Sequence, residues 1–180
     1  MTEYTLAQAG AEELERARLA LLEEVCDPGT VLQLDAIGVG EGWRCLDVGA
    51  GGGSATRLLA ERVGETGSVL ALDLDVRLLE PLASDRVEVR RHDLLGEPLP
   101  QAAFDVVHAR NLLMHLPARL DALRRLVAAV RPGGWLAVCE PDSDRFQRRG
   151  RSAPSSECRL LNATQNLLKL HRHQLALAGA

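Results

Sequence analysis

Aromatic side chains are scarce in this sequence: Tyr4, Trp43, Phe104, Trp135 and Phe146 are the only five in 180 residues. That leaves little ring-stacking character from which to read a ligand. An excess of positive charge is also lacking. The formal net charge is −4, which argues against nucleic acid or another polyanion as the main partner. The four cysteines, Cys26, Cys45, Cys139 and Cys158, form no C-x-x-C pair. They read as small hydrophobes in a reducing compartment rather than a disulfide frame or metal site. His171 and His173 are two apart on an expected helix, do not share a face, and make a poor metal pair. No metal is therefore expected. No apolar run approaches the roughly 18 residues of a spanning helix, so no membrane association is expected. Glu3, Glu12 and Glu13 stand where a secretory leader would need a basic start and an apolar stretch. A cytoplasmic location follows as the expectation.

The length fits one domain with a sizeable core, and 46% hydrophobic with 26% charged residues is ordinary for a globular chain. Leu14, Ala17, Leu21, Leu22 and Val25 recur at helical spacing, predicting an amphipathic helix over 10–26. Asp27-Pro28-Gly29 should stop it, with a second short helix over 30–38. Strands are then predicted at 44–48, 68–72, 87–90, 104–109 and 135–140. Helices are predicted at 54–63, shortly after Asp75, and at 120–130. Strands that are nearly all apolar, alternating with helices, mean βαβ units. The fold class is therefore α/β: a Rossmann-like doubly wound parallel sheet of about five strands with helices on both faces. Three regions are expected: a helical cap over 1–40, a nucleotide-binding domain over 41–141, and a polar linker with a C-terminal helix over 142–180. The leucines between Leu160 and Leu177 place that helix at about 155–178. The arginines at 145, 148, 149 and 151 read as a solvated loop.

The chemistry begins at Leu46-Asp-Val-Gly-Ala-Gly-Gly-Gly53, which leaves a strand and enters a helix. Glycines there let the backbone turn sharply and approach a ligand. Amides at the following helix start can hold a carboxylate or phosphate. Asp73 stands at the end of the next strand, 20 residues past Gly53. It can accept both hydroxyls of an adenosine ribose or, more blandly, cap a helix; Asp75 is better placed to cap. Asp93 follows the third strand and can accept from an adenine amino group, or be a surface-loop acid. A nicotinamide or flavin fingerprint would need Gly or Ala where Ser54 stands.

Together these positions resemble the class I S-adenosylmethionine-dependent methyltransferases over residues 10–141. The resemblance rests on the glycine motif, the acids Asp73 and Asp93, the fourth strand with its following loop through Leu116, and the Arg131-Pro-Gly-Gly134 turn. The nearest flavour is the small-molecule branch. It implies S-adenosyl-L-methionine as cofactor and a small-molecule acceptor methylated on O, N or C. By the same resemblance, Gly49, Ala50, Gly51 and Gly53 shape the methionine pocket, and Asp47 orients the loop or meets the amino group. Asp73 binds ribose, Leu74 lies against adenine, and Asp93 and Leu94 frame the ring. Ala109 and Arg110 border the sulfonium, while Tyr4 and the first helix close over the cofactor. For a hydroxyl acceptor, His115 is the candidate base, past strand four near the cofactor edge; its bland reading is a packed histidine at a loop junction. The family fold has seven strands, so the last strand seen here should be an open edge and the C-terminal segment a route to a homodimer. A non-catalytic cofactor-binding or partner-binding module remains the alternative.

Overall fold

The computed structural model describes residues 9–141 and 167–169. Six strands form one sheet in the order β3-β2-β1-β4-β5-β6. They are β1 Arg44–Val48, β2 Ser68–Asp73, β3 Val87–Arg91, β4 Phe104–Arg110, β5 Val130–Cys139 and β6 Leu167–Lys169. The first five pair in parallel, as their apolar patterns require. The helices are α1 Ala9–Ile37, α2 Ser54–Val63 and α3 Arg119–Ala129. Short 3-10 turns stand at Glu80–Leu82 and Leu113–His115. No described helix is long and apolar enough to cross a membrane.

Each sheet face carries its own core. Leu46, Leu72, Phe104, Val107 and Leu136 meet Ala122, Leu126 and Ala129 of α3 on one side. Cys45, Val69 and Val106 meet Leu59 and Val63 of α2, and Leu34 and Ile37 of α1, on the other. The alternation of strand residues between the two clusters is the period-2 pleat with both faces covered. Because β1 pairs with both β2 and β4, the strand order reverses there. The loops after β1 and β4 therefore diverge and leave a crevice at the carboxyl edge.

Three expectations are corrected. First, α1 is one helix that runs through Pro28. A mid-helix proline removes an N–H and crowds the carbonyl four residues back, at about 3 kcal/mol. Opposing that cost, Asp27 is held by Ser54 and Arg110, and Leu34 and Ile37 are buried. Second, the apolar stripe that defined the helix points outward. Leu14, Leu21, Leu22 and Val25 are 73%, 66%, 37% and 58% exposed, while Leu19, Glu23, Asp27 and Thr30 face the sheet edge. Third, β5 is not an edge. Leu167–Lys169 pairs antiparallel with residues 135–137, where a helix over 155–178 was expected. Adjacent leucines fit strand and helix alike, and the strand pairs with the outer side of β5 at residues 135–137. This removes the open β5 edge from the argument for a homodimer. Tyr4, Cys158, the arginines at 145–151 and the rest of the C-terminal segment lie outside the described residues.

Smaller differences follow the same logic. Residues 131–134 bulge within β5 between the pairs Phe104–Val130 and Val106–Trp135. Asp75 accepts its own loop amide, from Arg77, and pairs with that side chain. The next helical element is only the turn at Glu80–Leu82, so Asp75 caps no α-helix.

Candidate functional site

The carboxyl ends of β1, β2 and β4 converge on residues 49–53. The amides of Gly49 and Ala50 donate to the Leu72 carbonyl at 2.8 and 3.1 Å, stitching the loop to β2. Gly49 has φ +71°, and a Cβ there would lie 2.9 Å from Leu112 Cδ1. A side chain at position 49 would thus be strained and would push Leu112 off the loop. Gly53 ends the loop in the left-handed region at φ 83° and starts α2. The amides of Ser54, Ala55 and Thr56 have no acceptor among the described residues. Unpaired amides at a helix start suit a carboxylate.

Asp47 sits beneath this loop, fully buried. Its Oδ2 accepts from Thr56 Oγ1 at 2.6 Å and its Oδ1 is 2.8 Å from His108 Nδ1. Burial opposes its charge. The His108 hydrogen bond and charge, the Thr56 hydroxyl and the Arg110 charge together outweigh burial and hold the carboxyl below the usual range. Both oxygens are therefore committed inside the protein. Of the two roles expected for Asp47, orienting the loop fits this geometry, because α2 and β4 are tied through it. His108, in β4, is a buried structural partner; its Nε2 has no hydrogen-bond partner among the described residues.

Asp73 joins the second strand end to the glycine loop. Its Oδ2 accepts from Gly51 N–H at 2.8 Å and its Oδ1 from Asp75 N–H at 3.1 Å. Burial pushes its pKa up, against the lowering effect of the Gly51, Asp75 and Leu74 amides. Leu74 is exposed beside it. Asp93 is exposed after β3, with Oδ1 accepting from Leu95 N–H at 2.9 Å. A Cβ on Gly96 would sit 2.8 Å from Asp93 Oδ2, so Gly96 leaves that oxygen its room. Leu94 and Ala109, expected to frame the ring and the sulfonium, place their side chains in the core instead. Only their backbone can face a ligand.

Helix α1 roofs the edge. A Cβ on Gly51 would lie 3.4 Å from Leu19 Cδ2, and one on Gly52 would collide with Glu23 Oε1. One turn further on, Asp27 Oδ1 accepts from Ser54 Oγ and Arg110, each at 2.8 Å. Arg110 also donates to Thr30 Oγ1 and Ser54 Oγ, both at 2.8 Å. Arg110 stands at the end of β4, as expected. Its charge is neutralised by Asp27, so a cation placed beside it meets less repulsion than from a free guanidinium.

Beyond β4 the chain turns through Asn111, whose φ is 54°. The Glu140 carboxylate accepts the amides of Leu112, Leu113 and Met114 at 2.9, 2.8 and 3.1 Å. That fixes the turn bearing His115, whose side chain is exposed. Glu140, Asp27, Glu23, Ser54 and Thr56 were not singled out from sequence. Only the pairing of a strand-end acid with a loop one strand away could have pointed to Glu140. Cys45 and Cys139 are inert thiols, pushed by burial to about 12 and about 11.

A family model described as a methyltransferase domain matches residues 46–138, which covers the glycine loop, both acids, Arg110 and the Glu140-anchored turn up to β5. The chain is 34% identical over 143 residues to Methyltransferase str2 of Strobilurus tenacellus, covering 78% of this chain and 50% of that protein. It is 34% identical over 115 residues to the ubiquinone/menaquinone biosynthesis C-methyltransferase UbiE of Ectopseudomonas mendocina (strain ymp), covering 59% and 45%. The chain thus spans about half the length of these curated relatives. Among solved structures, a SAM dependent methyltransferase from Aquifex aeolicus superposes with a TM-score of 0.59 at 27% identity, over 79% of each chain. With the methyltransferase-domain model matching more than half of the chain, over residues that include the glycine loop and both strand-end acids, the chain belongs to the class I S-adenosylmethionine-dependent methyltransferase family.

Proposed function

We propose that this chain binds S-adenosyl-L-methionine across residues 49–53, Asp73 and Asp93, and directs methyl transfer to a small-molecule acceptor. The observation that carries the reading is the Gly51 N–H to Asp73 Oδ2 hydrogen bond. It sets a ribose-binding acid and a helix-start anion site in one rigid frame, the spacing that an adenosyl amino acid needs. The residues present fit the group. Unpaired amides at Ser54, Ala55 and Thr56 suit its carboxylate, and Asp93 is an exposed acid after β3 that can accept from the adenine amino group.

The bound sulfonium supplies an electrophilic methyl group whose loss neutralises its charge. The protein's own task is alignment and exclusion of water. Leu112 beside Gly49, and Leu19 and Glu23 beside Gly51 and Gly52, partly cover the loop. Asp27 removes most of the Arg110 charge from the neighbourhood of the sulfonium. For a hydroxyl acceptor, the exposed side chain of His115 would take up the acceptor's proton as the methyl group is transferred. Support for a small acceptor is the likeness to a relative named for ubiquinone and menaquinone biosynthesis, together with a net charge of −4.

Parallel calorimetric titrations with S-adenosylmethionine, S-adenosylhomocysteine and NAD test the cofactor. Binding of the first two without NAD is expected; NAD binding alone overturns the reading. Release of S-adenosylhomocysteine on mixing with small phenols, carboxylates and amines tests the acceptor class. Cofactor binding with no turnover on any small acceptor would favour the binding-module alternative. His115→Ala should leave S-adenosylhomocysteine affinity within about threefold while cutting turnover on a hydroxyl acceptor by roughly 10²–10⁴.

A further inference from the structure

Along the inner line of α1, Asp27 is consumed by Ser54 and Arg110, but Glu23 is not consumed in this way. Its Oε1 occupies the space that a side chain at Gly52 would fill, directly over the glycine loop. Its other oxygen meets Arg57 NH2 at 3.3 Å, and Arg57 NH1 in turn reaches the Gly52 carbonyl at 3.1 Å. The Glu23 side chain is 20% exposed and that of Arg57 46%. The result is a loosely engaged pair, one negative and one positive group, side by side on the mouth of the loop.

We propose that Glu23 and Arg57 are a receptor for the zwitterionic amino-acid end of the cofactor, with Glu23 accepting from its α-ammonium and Arg57 donating to its α-carboxylate. This rests on the reading of S-adenosylmethionine as the ligand. The two charges of an α-amino acid sit on neighbouring atoms, as the Glu23 and Arg57 charges sit side by side at the loop. A half-exposed ion pair contributes little by itself, so opening it costs little. Each partner then exchanges one charged contact for another, now shielded beneath α1. With glycine at position 52 the Glu23 carboxylate can rest on the loop, in space that a side chain there would take from it. The arrangement makes the ammonium a specificity element: a nucleoside thioether lacking the amino-acid group binds without it.

The experiment is calorimetric titration of the wild-type chain, Glu23→Gln and Arg57→Gln with S-adenosylhomocysteine and with 5′-methylthioadenosine, which keeps the nucleoside and sulfur but lacks the amino-acid group. Glu23→Gln is near-isosteric, and the melting temperatures of both variants report folding. Glu23→Gln is expected to weaken S-adenosylhomocysteine about tenfold or more and to leave 5′-methylthioadenosine within about twofold. Arg57→Gln should act in the same direction. Tighter S-adenosylhomocysteine binding by Glu23→Gln would overturn the assignment, because it would make Glu23 a competitor of the cofactor carboxylate. Equal wild-type affinity for the two ligands would overturn it as well, while leaving the cofactor reading intact. Failure of the wild type to bind either ligand would overturn both.

Discussion

Asp27 and Arg110 are 83 residues apart and meet at 2.8 Å across the carboxyl edge of the sheet. Through this contact the N-terminal helix is fastened to the end of β4, beside the loop that starts α2. Both groups are mostly shielded, so their attraction is stronger than that of a surface pair. A double-mutant cycle with Asp27→Asn and Arg110→Met, read by urea unfolding, should give a coupling of about 1–2 kcal/mol. A coupling below about 0.3 kcal/mol would mean that α1 is held by its buried C-terminal turns alone.

The same contact shows what the sequence made legible and what it hid. Strands β1 to β4, α2 and α3 were readable because their apolar patterns and glycine punctuation agree with the fold they enter. Helix α1 was misread twice for one reason: its position is set by tertiary partners rather than by its own pattern. Asp27-Pro28 reads locally as a stop, yet Asp27 is a ligand of Arg110. Leu14, Leu21 and Val25 read locally as a buried face, yet Glu23 between them and Asp27 just beyond are the residues that meet Arg57 and Arg110. Leu167–Lys169 was ambiguous in period and was decided by the unpaired edge of β5.

This inversion of α1 is directly measurable. Leu21→Gln removes an exposed leucine and should change unfolding free energy by no more than about 0.5 kcal/mol. Leu34→Ala, on the same helix but fully buried among Cys45, Leu59 and Val63, should cost roughly 2–5 kcal/mol. Equal costs would place the outer stripe against a further surface.

Asp73 couples stability and binding with opposite signs. Burial raises its pKa in the folded chain, so the folded state holds this proton more tightly than the unfolded one. Its stabilising contribution is complete when the carboxyl is protonated and is lost as pH rises through the folded value. The ionised form that binds ribose is the costly one. Asp73→Asn removes the buried charge but keeps only one acceptor for the Gly51 and Asp75 amides, so it should move the melting temperature near neutral pH little, while weakening S-adenosylhomocysteine by about 1.5–3 kcal/mol. In the wild type, affinity should begin to fall with acidification above the pH at which an ordinary aspartate protonates, and that step should vanish in Asp73→Asn. A variant that loses stability at neutral pH and keeps its affinity would reverse the assignment.

Glu140 tests whether the acceptor side is held as firmly as the cofactor side. Three consecutive amides, of Leu112, Leu113 and Met114, end on its two oxygens. The turn they belong to carries His115 and lays Leu112 on Gly49. A side-chain carboxylate serving orphan amides at a turn start is worth about 1 kcal/mol, as for a helix cap. Glu140→Ala should cost about that much, and Glu140→Gln less, because the amide oxygen still accepts. The sharper readout is local. Hydrogen exchange at Leu112, Leu113 and Met114 should accelerate in Glu140→Ala well beyond the global change, since their acceptor is gone while the rest of β4 stays paired with β1 and β5. Turnover should fall further than cofactor affinity, because a displacement of about 1 Å in the wall facing the acceptor can cost about 10²-fold in rate. Unchanged exchange at these three amides would show that the turn after β4 is held by its own backbone, and that Glu140 is free for another role.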